Sequence, residues 1–600
     1  MKFQILVAEA VAGAGWVFAS GAFSLLPAQV GHKAAVSEVN DHCELGEMGS
    51  PYIPVDSWIY PAVLRLYSLG YLDHVYLGLR PWTQGSLDHM LSDTGPAIAD
   101  TPDSPARDEA ESLYVAVKAE LKREAGNGCA PGVQLESSYT QARGISGTPL
   151  RDSYHLGSTL VNDYGRPYEG GFNSASGASG YAHAGRFVLY LRGEFESAPS
   201  AAGYSAGLAQ VLSDVDATTV VNPATGSLYS QPTIPQGPIS TATQGRFLEA
   251  YVSAQYVNHI FSFGKQDEWL GPAEGGSMAY SNNAENIYAF HINRIEPLYV
   301  PLLSRITGPF RYEFLVGALR GHTLIPNQAY PATNQPNVTN PGDPWVHVEK
   351  ISFRPTDNLE FGFERTALWG GEGHSPVTLH TFLKSFISLT AGVPAVKFGR
   401  NDPGARFGGF DFSYRLPFVR NWLTLYCDSA SHDDISPVSA PRHASIRPGL
   451  FLSHVPGLPR LDLRVEAAST DPPTGASQGG QYMYYEFIEK EGYTNQGQIF
   501  GDWIGREDKG GQAWATWHLS GNEWIQASVR RQKAAKDFIP GGTTLTEFQV
   551  QAVKRVGREF ELSGSFAAEG WKAPSYLAGL QTNTVKKIQL TWLPQDRMRF

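Results

Sequence analysis

The chain has 600 residues, of which 12% are aromatic and 18% are charged, and its formal net charge at pH 7 is −11. An ordinary soluble domain is about a quarter charged, so this composition excludes a disordered chain and favours a large core or an extended apolar surface. The charges are scattered singly and form no basic patch, which excludes a nucleic-acid-binding protein. Beyond residue 30 no run approaches the ~18 apolar residues of a membrane-spanning helix, whereas the short alternating segments of a β-barrel remain compatible with the chain.

The N-terminus has the features of an export signal. A single lysine precedes residues 3–23, which are mostly apolar or small, and Ser20 and Ala22 suit a small-residue cleavage site. We therefore expect residues 1–28 to form a signal peptide. The alternative is an ordinary N-terminal helix, because Glu9 interrupts the apolar stretch.

Residues 50–126 are predicted to form a small α-helical bundle. Ser104 is a candidate N-cap followed by Pro105 at the first helical position. Asp56 and Ser57 can cap one shorter helix, and Thr83 can cap another. Apolar residues recur at four-residue spacing on one face of the longest helix, namely Leu113, Val117 and Leu121.

Three cysteines are present, Cys43, Cys129 and Cys427, and no pair has the CxxC spacing of a structural zinc site. Cys43 and Cys129 can form a disulfide in an oxidising compartment, with unpaired thiols as the alternative. The chain also lacks the HExxH, GxSxG, Walker A and Rossmann motifs. We therefore predict no metal, no cofactor and no catalytic residue.

From about residue 133 to residue 600, apolar residues recur with a period of two. Successive side chains of a strand point to opposite faces, so each such segment has one apolar face and one polar face. The polar faces carry opposite charges close together, such as Asp411 with Arg415 and Asp462 with Arg464. An apolar outer face with a charged inner face is typical of an outer-membrane barrel. The clearest segments are 186–195, 311–318, 410–416, 461–466 and 559–568.

Long segments rich in Gly, Ser, Pro and Asn separate these strands, as in barrels that have short turns at one end and long loops at the other. A soluble β-sandwich or propeller is the alternative, but neither needs so many strands. We therefore predict a mainly β chain, with a transmembrane barrel over residues 133–600 and long extracellular loops. The long segments are 168–181, 198–242, 322–345, 431–447 and 469–482.

Several short motifs follow one another along the chain: Phe263-Gly264-Lys265-Gln266, Leu270-Gly271-Pro272, Ser281-Asn282-Asn283-Ala284, Gly362-Phe363-Glu364-Arg365-Thr366, Trp369-Gly370-Gly371, Asp411-Phe412-Ser413-Tyr414-Arg415-Leu416-Pro417 and Gly501-Asp502-Trp503-Ile504-Gly505. Their order and spacing resemble those of the Wzi family of capsule-assembly outer-membrane proteins, over about residues 50–600. The resemblance implies a large antiparallel barrel of about 18 strands, closed inside by loops. It also implies that the helical bundle over 50–126 is periplasmic.

The resemblance further implies a non-enzymatic protein of the bacterial outer membrane that attaches or organises capsular or surface polysaccharide. Besides this polysaccharide, the expected partners are outer-membrane lipid and other envelope assembly proteins. A porin or substrate channel stays open as an alternative and needs an open lumen. A secreted carbohydrate-active enzyme would need two carboxylates roughly 5–10 Å apart. Its candidates are Glu364, Glu372, Asp433 and Asp434.

Eleven residues in or beside these motifs are candidates for polysaccharide contact or for a structural role in the lumen. Asn, Asp and Arg can bond sugar hydroxyls, and indole rings can stack on sugar rings. One structural alternative is a buried turn at Asn282 and Asn283, and another is an ion pair of Glu364 with Arg365. Strict alternation turns the Arg365 side chain toward lipid, which requires a bulge or a position near the strand end. For Trp369, Trp503 and Trp514 the alternative is an aromatic belt. The eleven are Gly271, Pro272, Asn282, Asn283, Glu364, Arg365, Trp369, Glu372, Asp411, Arg415 and Trp503.

Overall fold

Eighteen antiparallel strands form a closed β-barrel, because each strand pairs with the next along the chain and the last pairs with the first. A short additional strand, Met598–Arg599, pairs with the start of the first strand. The prediction of a mainly β chain with a large antiparallel barrel is confirmed. In chain order the strands are β1 (Gly132–Gly147), β2 (Gly171–Ala184), β3 (Phe187–Ala198), β4 (Ala242–Tyr256), β5 (His259–Lys265), β6 (Tyr288–Arg294), β7 (Phe310–Ala318), β8 (Trp345–Thr356), β9 (Leu359–Trp369), β10 (Ala405–Arg415), β11 (Leu423–His432), β12 (Ser445–Leu452), β13 (Leu461–Ser469), β14 (Asp508–Ser520), β15 (Glu523–Ala534), β16 (Thr543–Val556), β17 (Phe560–Ala573) and β18 (Leu577–Trp592).

The computed structural model describes residues 48–124, 131–217, 220–221, 228–229, 238–320, 344–370, 376–388, 396, 399–432, 440–473, 478–486, 492–594 and 598–599. The predicted signal peptide lies outside these ranges, as do Cys43, Cys129, Glu372, Asp433 and Asp434. Within them, no helix combines the length and the apolar character that a membrane crossing requires.

The outer face of the barrel is apolar. Along β3, Phe187, Leu191 and Phe195 are 57%, 41% and 58% exposed, whereas Tyr190 and Glu194 between them are buried. The same alternation recurs around the barrel and exposes more apolar surface than a soluble monomer presents to water. The outer face is therefore that of a transmembrane barrel, with a polar interior.

Short turns join the strands at one end of the barrel and long loops at the other. Residues 185–186 connect β2 to β3, and residues 357–358 connect β8 to β9. At the opposite end the connections include 199–241, 266–287 and 470–507. The prediction of a long loop over 168–181 is wrong, because β2 begins at Gly171. Aromatic side chains exposed toward the short-turn end resemble the girdle of outer-membrane barrels. They are Phe418, Trp422, Trp517, Phe560 and Trp592.

In the part of the chain that the structure describes, four helices precede the barrel. The predicted caps at Thr83 and Ser104 are present, and each hydroxyl accepts a hydrogen bond from the backbone N–H three residues further on. Of the two residues predicted to cap the first helix, Asp56 does not do so, because its carboxylate forms an ion pair with Arg192 of β3 at 2.7 Å. The Ser57 hydroxyl accepts a hydrogen bond from the Ile59 N–H at 3.3 Å. The helices are α1 (Ile59–Ser68), α2 (Gln84–Met90), α3 (Thr94–Ala99) and α4 (Pro105–Glu124).

Helices α1 and α4 share one hydrophobic core with the barrel. Val63 of α1 and Leu113 of α4 are buried in the same cluster as Tyr426 of β11 and Phe451 of β12. The Arg65 guanidinium donates to two backbone carbonyl oxygens in the turn between β12 and β13, at 3.1 and 2.7 Å. The helices therefore cover part of the short-turn end. The periplasmic location of this bundle and its boundary with the barrel stay predictions.

Shorter elements lie in the connections between strands. The helix α7 packs its aromatic side chains against the outer face of the barrel, beside β8 and β9. The helices are α5 (Ala206–Val215), α6 (Ser304–Thr307), α7 (Leu379–Ile387), α8 (Ala440–His443) and the 3₁₀ turn Pro417–Val419. Two-residue strands pair as Arg151–Asp152 with Gly157–Ser158, Val220–Val221 with Leu228–Tyr229 and Thr494–Asn495 with Gln498–Ile499.

Candidate functional site

Residues 266–287 form an inner loop that folds into the lumen. This inner loop carries four of the predicted site residues. Gly271 lies against Asp428 of β11, and a Cβ atom at Gly271 would come within 2.3 Å of the Asp428 Oδ2 atom. Any larger residue would therefore displace this carboxylate. The carbonyl oxygen of Pro272 accepts a hydrogen bond from Arg80 Nη2 at 3.2 Å. These two residues fix the inner loop between the barrel wall and the segment that follows α1.

Asn282 and Asn283 join three loops inside the barrel. The Asn282 carbonyl oxygen accepts a hydrogen bond from the Tyr164 N–H at 2.8 Å, and the Asn283 carbonyl oxygen accepts one from the Gly165 N–H at 3.2 Å. The Asn283 side chain donates to the Ile499 carbonyl oxygen at 2.8 Å. Both asparagines are buried, and these contacts match the buried-turn alternative.

Glu364 and Asp411 meet around a lysine that the motif analysis did not single out. Lys350 Nζ lies 2.7 Å from Asp411 Oδ2 and 3.2 Å from Glu364 Oε2. All three side chains are at most 2% exposed. The expected ion pair of Glu364 with Arg365 is wrong, because alternation turns these neighbours to opposite faces of β9 and each pairs with the neighbouring strand β8 instead.

Arg365 and Trp369 lie on the outer face of β9, beneath α7. Arg365 Nε donates to Glu349 Oε2 at 2.9 Å, and Arg365 Nη2 donates to the Phe386 carbonyl oxygen at the end of α7, at 2.6 Å. Trp369 is 1% exposed and packs against Phe382 of α7. The register of β9 has no bulge at Arg365. Arg365 lies one residue past the midpoint of β9, so neither a bulge nor a position near the strand end explains its outward direction. A carboxylate partner and the cover of α7 accommodate this outward charge.

Arg415 connects β10 to α1. Its guanidinium donates to the Tyr67 carbonyl oxygen at 2.8 Å, pairs with Asp73 and lies over the Tyr67 ring. The side chain is fully buried. Arg415 is thus part of the packing between barrel and helix, far from a solvent-facing ligand position.

Trp503 is enclosed in the lumen by the loop 470–507. It is 0% exposed, and its indole N–H donates to the Gly275 carbonyl oxygen of the inner loop. Arg447 stacks over the indole and forms two hydrogen bonds with Asp502. The aromatic-belt interpretation is wrong for Trp503, because this residue lies in a loop inside the barrel rather than on a lipid-facing strand.

A cavity of about 540 Å³ lies inside the barrel toward the helices. Its wall combines indoles, amides, hydroxyls and guanidinium groups from β14 to β18 and from the loop after β1. The belt interpretation is also wrong for Trp514, which alternation turns into this cavity. The sequence motifs include few residues of this wall. The feature of the sequence that indicates the wall is the polar and aromatic composition of alternate strand positions. The inward strand residues include Trp514, Thr516, His518, Trp524, Gln526, Gln551, Ser563, Lys587 and Gln589.

Ion pairs border the cavity. Asp56 pairs with Arg192 at 2.7 Å, and Asp163 pairs with Arg166 at 2.6 Å. The Asp56 side chain is 39% exposed. Its partial desolvation alone would raise the pKa of the carboxyl, but Arg192 outweighs this effect and holds that pKa below its ordinary value. Burial also opposes ionisation of Asp163, and Arg143 and Arg166 together lower the pKa of its carboxyl well below the ordinary value. Both carboxylates are therefore ionised at neutral pH.

Comparison with known proteins gives three results. Residues 141–585 match the family described as capsule assembly protein Wzi. An uncharacterized 55.8 kDa protein in the cps region of Klebsiella pneumoniae is 26% identical over 188 residues, which is 31% of this chain and only 33% of that relative. The Escherichia coli outer-membrane protein Wzi, described as a carbohydrate-binding β-barrel involved in group 1 capsule assembly, superposes with a TM-score of 0.60 at 16% identity, covering 92% of this chain and all of that one. Since the family match extends over most of the barrel, the chain belongs to the Wzi capsule assembly family.

Proposed function

We propose that this protein attaches polysaccharide at the bacterial surface without cleaving it. Family membership supports a non-enzymatic role in capsule assembly, and the Escherichia coli barrel of the same fold is described as carbohydrate-binding. The closed barrel with an apolar exterior suits the outer membrane.

The observation that carries this proposal is the wall of the lumen cavity. Trp514 and Trp524 offer aromatic faces, and Gln526, Gln551 and Gln589 offer amide donors and acceptors. Sugar rings stack on indoles while their hydroxyls bond to amides. A volume of about 540 Å³ lies within the range of small-molecule sites, so we propose that it receives a short segment of the polymer.

Paired carboxylates on the cavity wall do not favour glycoside hydrolysis. Glu561 pairs with Arg555 at 3.0 Å and Glu274 pairs with Arg464 at 2.9 Å. A hydrolase needs one carboxyl group that can donate a proton and a second that acts as base or nucleophile. Each of these two carboxylates is engaged by a guanidinium group, which fits a structural role better than a catalytic one.

The packed lumen favours attachment over free diffusion through a channel. Leu270 and Met278 of the inner loop are fully buried with Phe500 and Trp503. An open pore requires water along the lumen, whereas this layer is an apolar core. We propose that Gly271, Pro272, Asn282, Asn283, Glu364, Asp411, Arg415 and Trp503 maintain this layer and do not contact polysaccharide directly.

Outer-membrane lipid is the second partner that we propose, because Phe418, Trp422 and Trp592 are exposed near the short-turn end. Other envelope assembly proteins are a third class, for which the helices at the same end offer the nearest surface. Co-purification after crosslinking from intact cells tests this third class.

Deleting the gene in its host tests the attachment role. We expect polysaccharide to appear in the medium while total synthesis stays unchanged. A fall in total synthesis would favour a role in export, and shortening of purified polymer by the purified protein would favour an enzyme.

Two tryptophans of β14 provide a matched pair for testing the cavity. Trp514 faces the cavity, and Trp517, three positions further on, is exposed on the outer face. An aromatic contact is worth about 1 kcal/mol, so Trp514→Ala is expected to weaken binding of purified polysaccharide about fivefold. Trp517→Ala is expected to bind normally, and equal loss in both variants would exclude the cavity as the binding site.

A further inference from the structure

Three side chains with metal-ligand chemistry converge inside the barrel, outside the site described above. Glu268 belongs to the inner loop, His291 to β6 and Glu313 to β7, and one ligand atom from each lies within 4.8 Å of the other two. His291 Nδ1 is 3.5 Å from Glu268 Oε2 and 3.9 Å from Glu313 Oε1. The three side chains are 3% exposed or less. Strand alternation turns the His291 and Glu313 side chains inward, toward Glu268 of the inner loop.

These groups lack the hydrogen bonds that buried polar atoms require. Both carboxylate oxygens of Glu268, both ring nitrogens of His291 and Oε1 of Glu313 have no hydrogen-bond partner among the described residues. The second oxygen of Glu313 accepts from Asn293 Nδ2 at 2.9 Å. Buried polar groups are nearly always bonded, and an uncompensated buried carboxylate is strongly unfavourable. A further group that binds both carboxylates and the imidazole would therefore be needed to satisfy these buried atoms.

Arg311 forms no ion pair with this cluster. It lies two positions before Glu313, but its Nε donates to the Arg294 carbonyl oxygen at 2.9 Å and its Nη2 donates to Asn293 Oδ1 at 3.1 Å. Its Nη1 has no hydrogen-bond partner among the described residues, and its charge acts on Glu313 without direct contact. A cation held by all three side chains would satisfy the orphaned atoms and balance both negative charges.

We propose that Glu268, His291 and Glu313 bind a divalent first-row transition-metal cation such as Zn²⁺ or Mn²⁺. Bonds of about 2.1 Å around a tetrahedral metal separate neighbouring ligand atoms by about 3.4 Å, close to the separations from His291. An imidazole ligand argues against Ca²⁺ and Mg²⁺, which prefer oxygen ligands, and favours Zn²⁺ or Fe²⁺, while the two carboxylates also suit Mn²⁺. Two carboxylates and one neutral imidazole give an electrically neutral site with the divalent ion.

The position of the site indicates a structural role, independent of polysaccharide binding. A metal there would tie the inner loop to the wall formed by β6 and β7. Trp269, next to Glu268, exchanges backbone hydrogen bonds with Arg80 at 3.0 and 3.2 Å. The same clamp would thereby hold the inner loop beside the segment between α1 and α2.

A shared proton between the two carboxylates is the competing explanation. Burial and the nearby Glu313 carboxylate raise the pKa of Glu268 well above its ordinary value. On this explanation the cluster needs no metal, and Glu268→Gln would replace a neutral acid by a neutral amide. The barrel of that variant would then be as stable as the wild type, with and without metal.

The test is metal titration of the full chain, purified in detergent without a histidine tag and treated with EDTA. We expect one Zn²⁺ or Mn²⁺ per chain by calorimetry, with a Kd below about 100 μM, and a higher unfolding temperature in the presence of metal. His291→Gln and Glu313→Gln are expected to weaken binding at least tenfold. Glu547→Gln, at a buried carboxylate paired with Arg530 on the far wall, is expected to bind as the wild type does.

A second readout covers variants that fail to fold. Co²⁺ added to the folded wild-type protein is expected to give visible absorption bands of a site with mixed nitrogen and oxygen ligands, and Zn²⁺ is expected to displace them. Wild-type protein that binds neither Zn²⁺, Mn²⁺ nor Co²⁺ at 1:1 would overturn the proposal. Binding that is equal in the wild type, His291→Gln and Glu313→Gln would overturn it as well.

Discussion

Lys350 holds two carboxylates in the barrel interior, Glu364 at 3.2 Å and Asp411 at 2.7 Å. Removing one partner of a buried ion pair leaves a charge uncompensated and costs about 3–5 kcal/mol. We therefore expect Lys350→Met to lower the temperature at which the folded barrel converts to its unfolded form on heat-modifiability gels. Lys536→Met, at an exposed turn, is the control and should leave that temperature unchanged. Equal temperatures for the wild type and Lys350→Met would show that this lysine is dispensable.

Glu364→Gln separates a structural role from a ligand role at the same cluster. We expect a smaller loss of stability than for Lys350→Met, because Asp411 remains paired with the lysine. Polysaccharide retention on cells should be normal, since Glu364 is buried inside the wall. A stable barrel with poor retention would instead assign Glu364 to the ligand.

His155 gives the loop after β1 a specific dependence on pH. Its ring nitrogens lie 2.9 Å from Asp152 and 2.8 Å from Asp216 at the end of α5. Burial opposes the charged imidazolium, but the two carboxylates outweigh burial and raise the pKa of His155 to about 10. The folded pKa exceeds the unfolded value of about 6.5, so the stabilisation is full below pH 6.5 and is lost as pH rises toward 10.

We therefore expect the difference in unfolding temperature between the wild type and His155→Gln to be largest near pH 6 and to shrink toward pH 10. Thermal unfolding in detergent at several pH values measures it. A difference that grows with rising pH would contradict the ion-paired imidazolium.

At the residue scale, alternation was sufficient to predict which strand residues face the lumen. Glu360 and Glu364 are buried and Phe361 and Phe363 face outward, as the period of two requires. The burial of Trp503 could not be predicted in this way, because its loop has no periodicity. The pairing of Glu364 with Lys350 depends on the register between β8 and β9, which the sequence of one strand does not contain.

The helix α7 is an element that depends on the outer face of the barrel. His347 Nε2 bonds with the Ser385 hydroxyl at 2.9 Å, and Arg365 donates to the carbonyl oxygen of Phe386. Leu379 and Ile387 are 73% and 66% exposed on the other side of the helix. These contacts attach α7 near the loop end of the barrel, where its apolar side chains can enter the membrane interface.

Arg365→Ala is expected to detach α7, because the last turn loses its hydrogen bond and Glu349 loses one of its two partners, at a cost of about 1–3 kcal/mol. Trypsin cleavage at Lys384, which is exposed on α7, should be faster in proteoliposomes of the variant than of the wild type. Arg531→Ala, at an exposed outward position of β15, is the control. Equal cleavage rates in Arg365→Ala and the wild type would mean that other contacts hold the helix.

At the element scale, the sequence was sufficient to predict two helix caps, which depend on a few neighbouring residues. The caps at Thr83 and Ser104 are present because capping depends on a few adjacent residues. The helix α7 was not predicted, because its position depends on contacts with β8 and β9 that the sequence of the segment alone does not contain. The count of eighteen strands came from the resemblance to the Wzi family rather than from the period of two.

For the whole molecule, the closed barrel and its packed interior determine which functions are physically available. The strands provide an apolar exterior, while the inner loop and the loop 470–507 meet in one buried cluster within the barrel. Arg447 of β12 pairs with Asp502 and connects the loop 470–507 to the wall, and Arg506 of the same loop pairs with Asp216 at the end of α5. The interior therefore resembles the core of a soluble domain more than the water-filled lumen of a porin.

This packing predicts that the purified protein does not conduct ions steadily in planar bilayers. Leu270, Met278 and Trp503 are each fully buried, so ions would have to cross an apolar layer. A variant in which residues 268–284 are replaced by a Gly-Ser linker of equal length is expected to conduct, because the linker cannot rebuild that layer. Steady conductance of the wild type at the level of a porin would support the channel alternative. A linker variant that folds but stays closed would assign the seal to the remaining loops and helices.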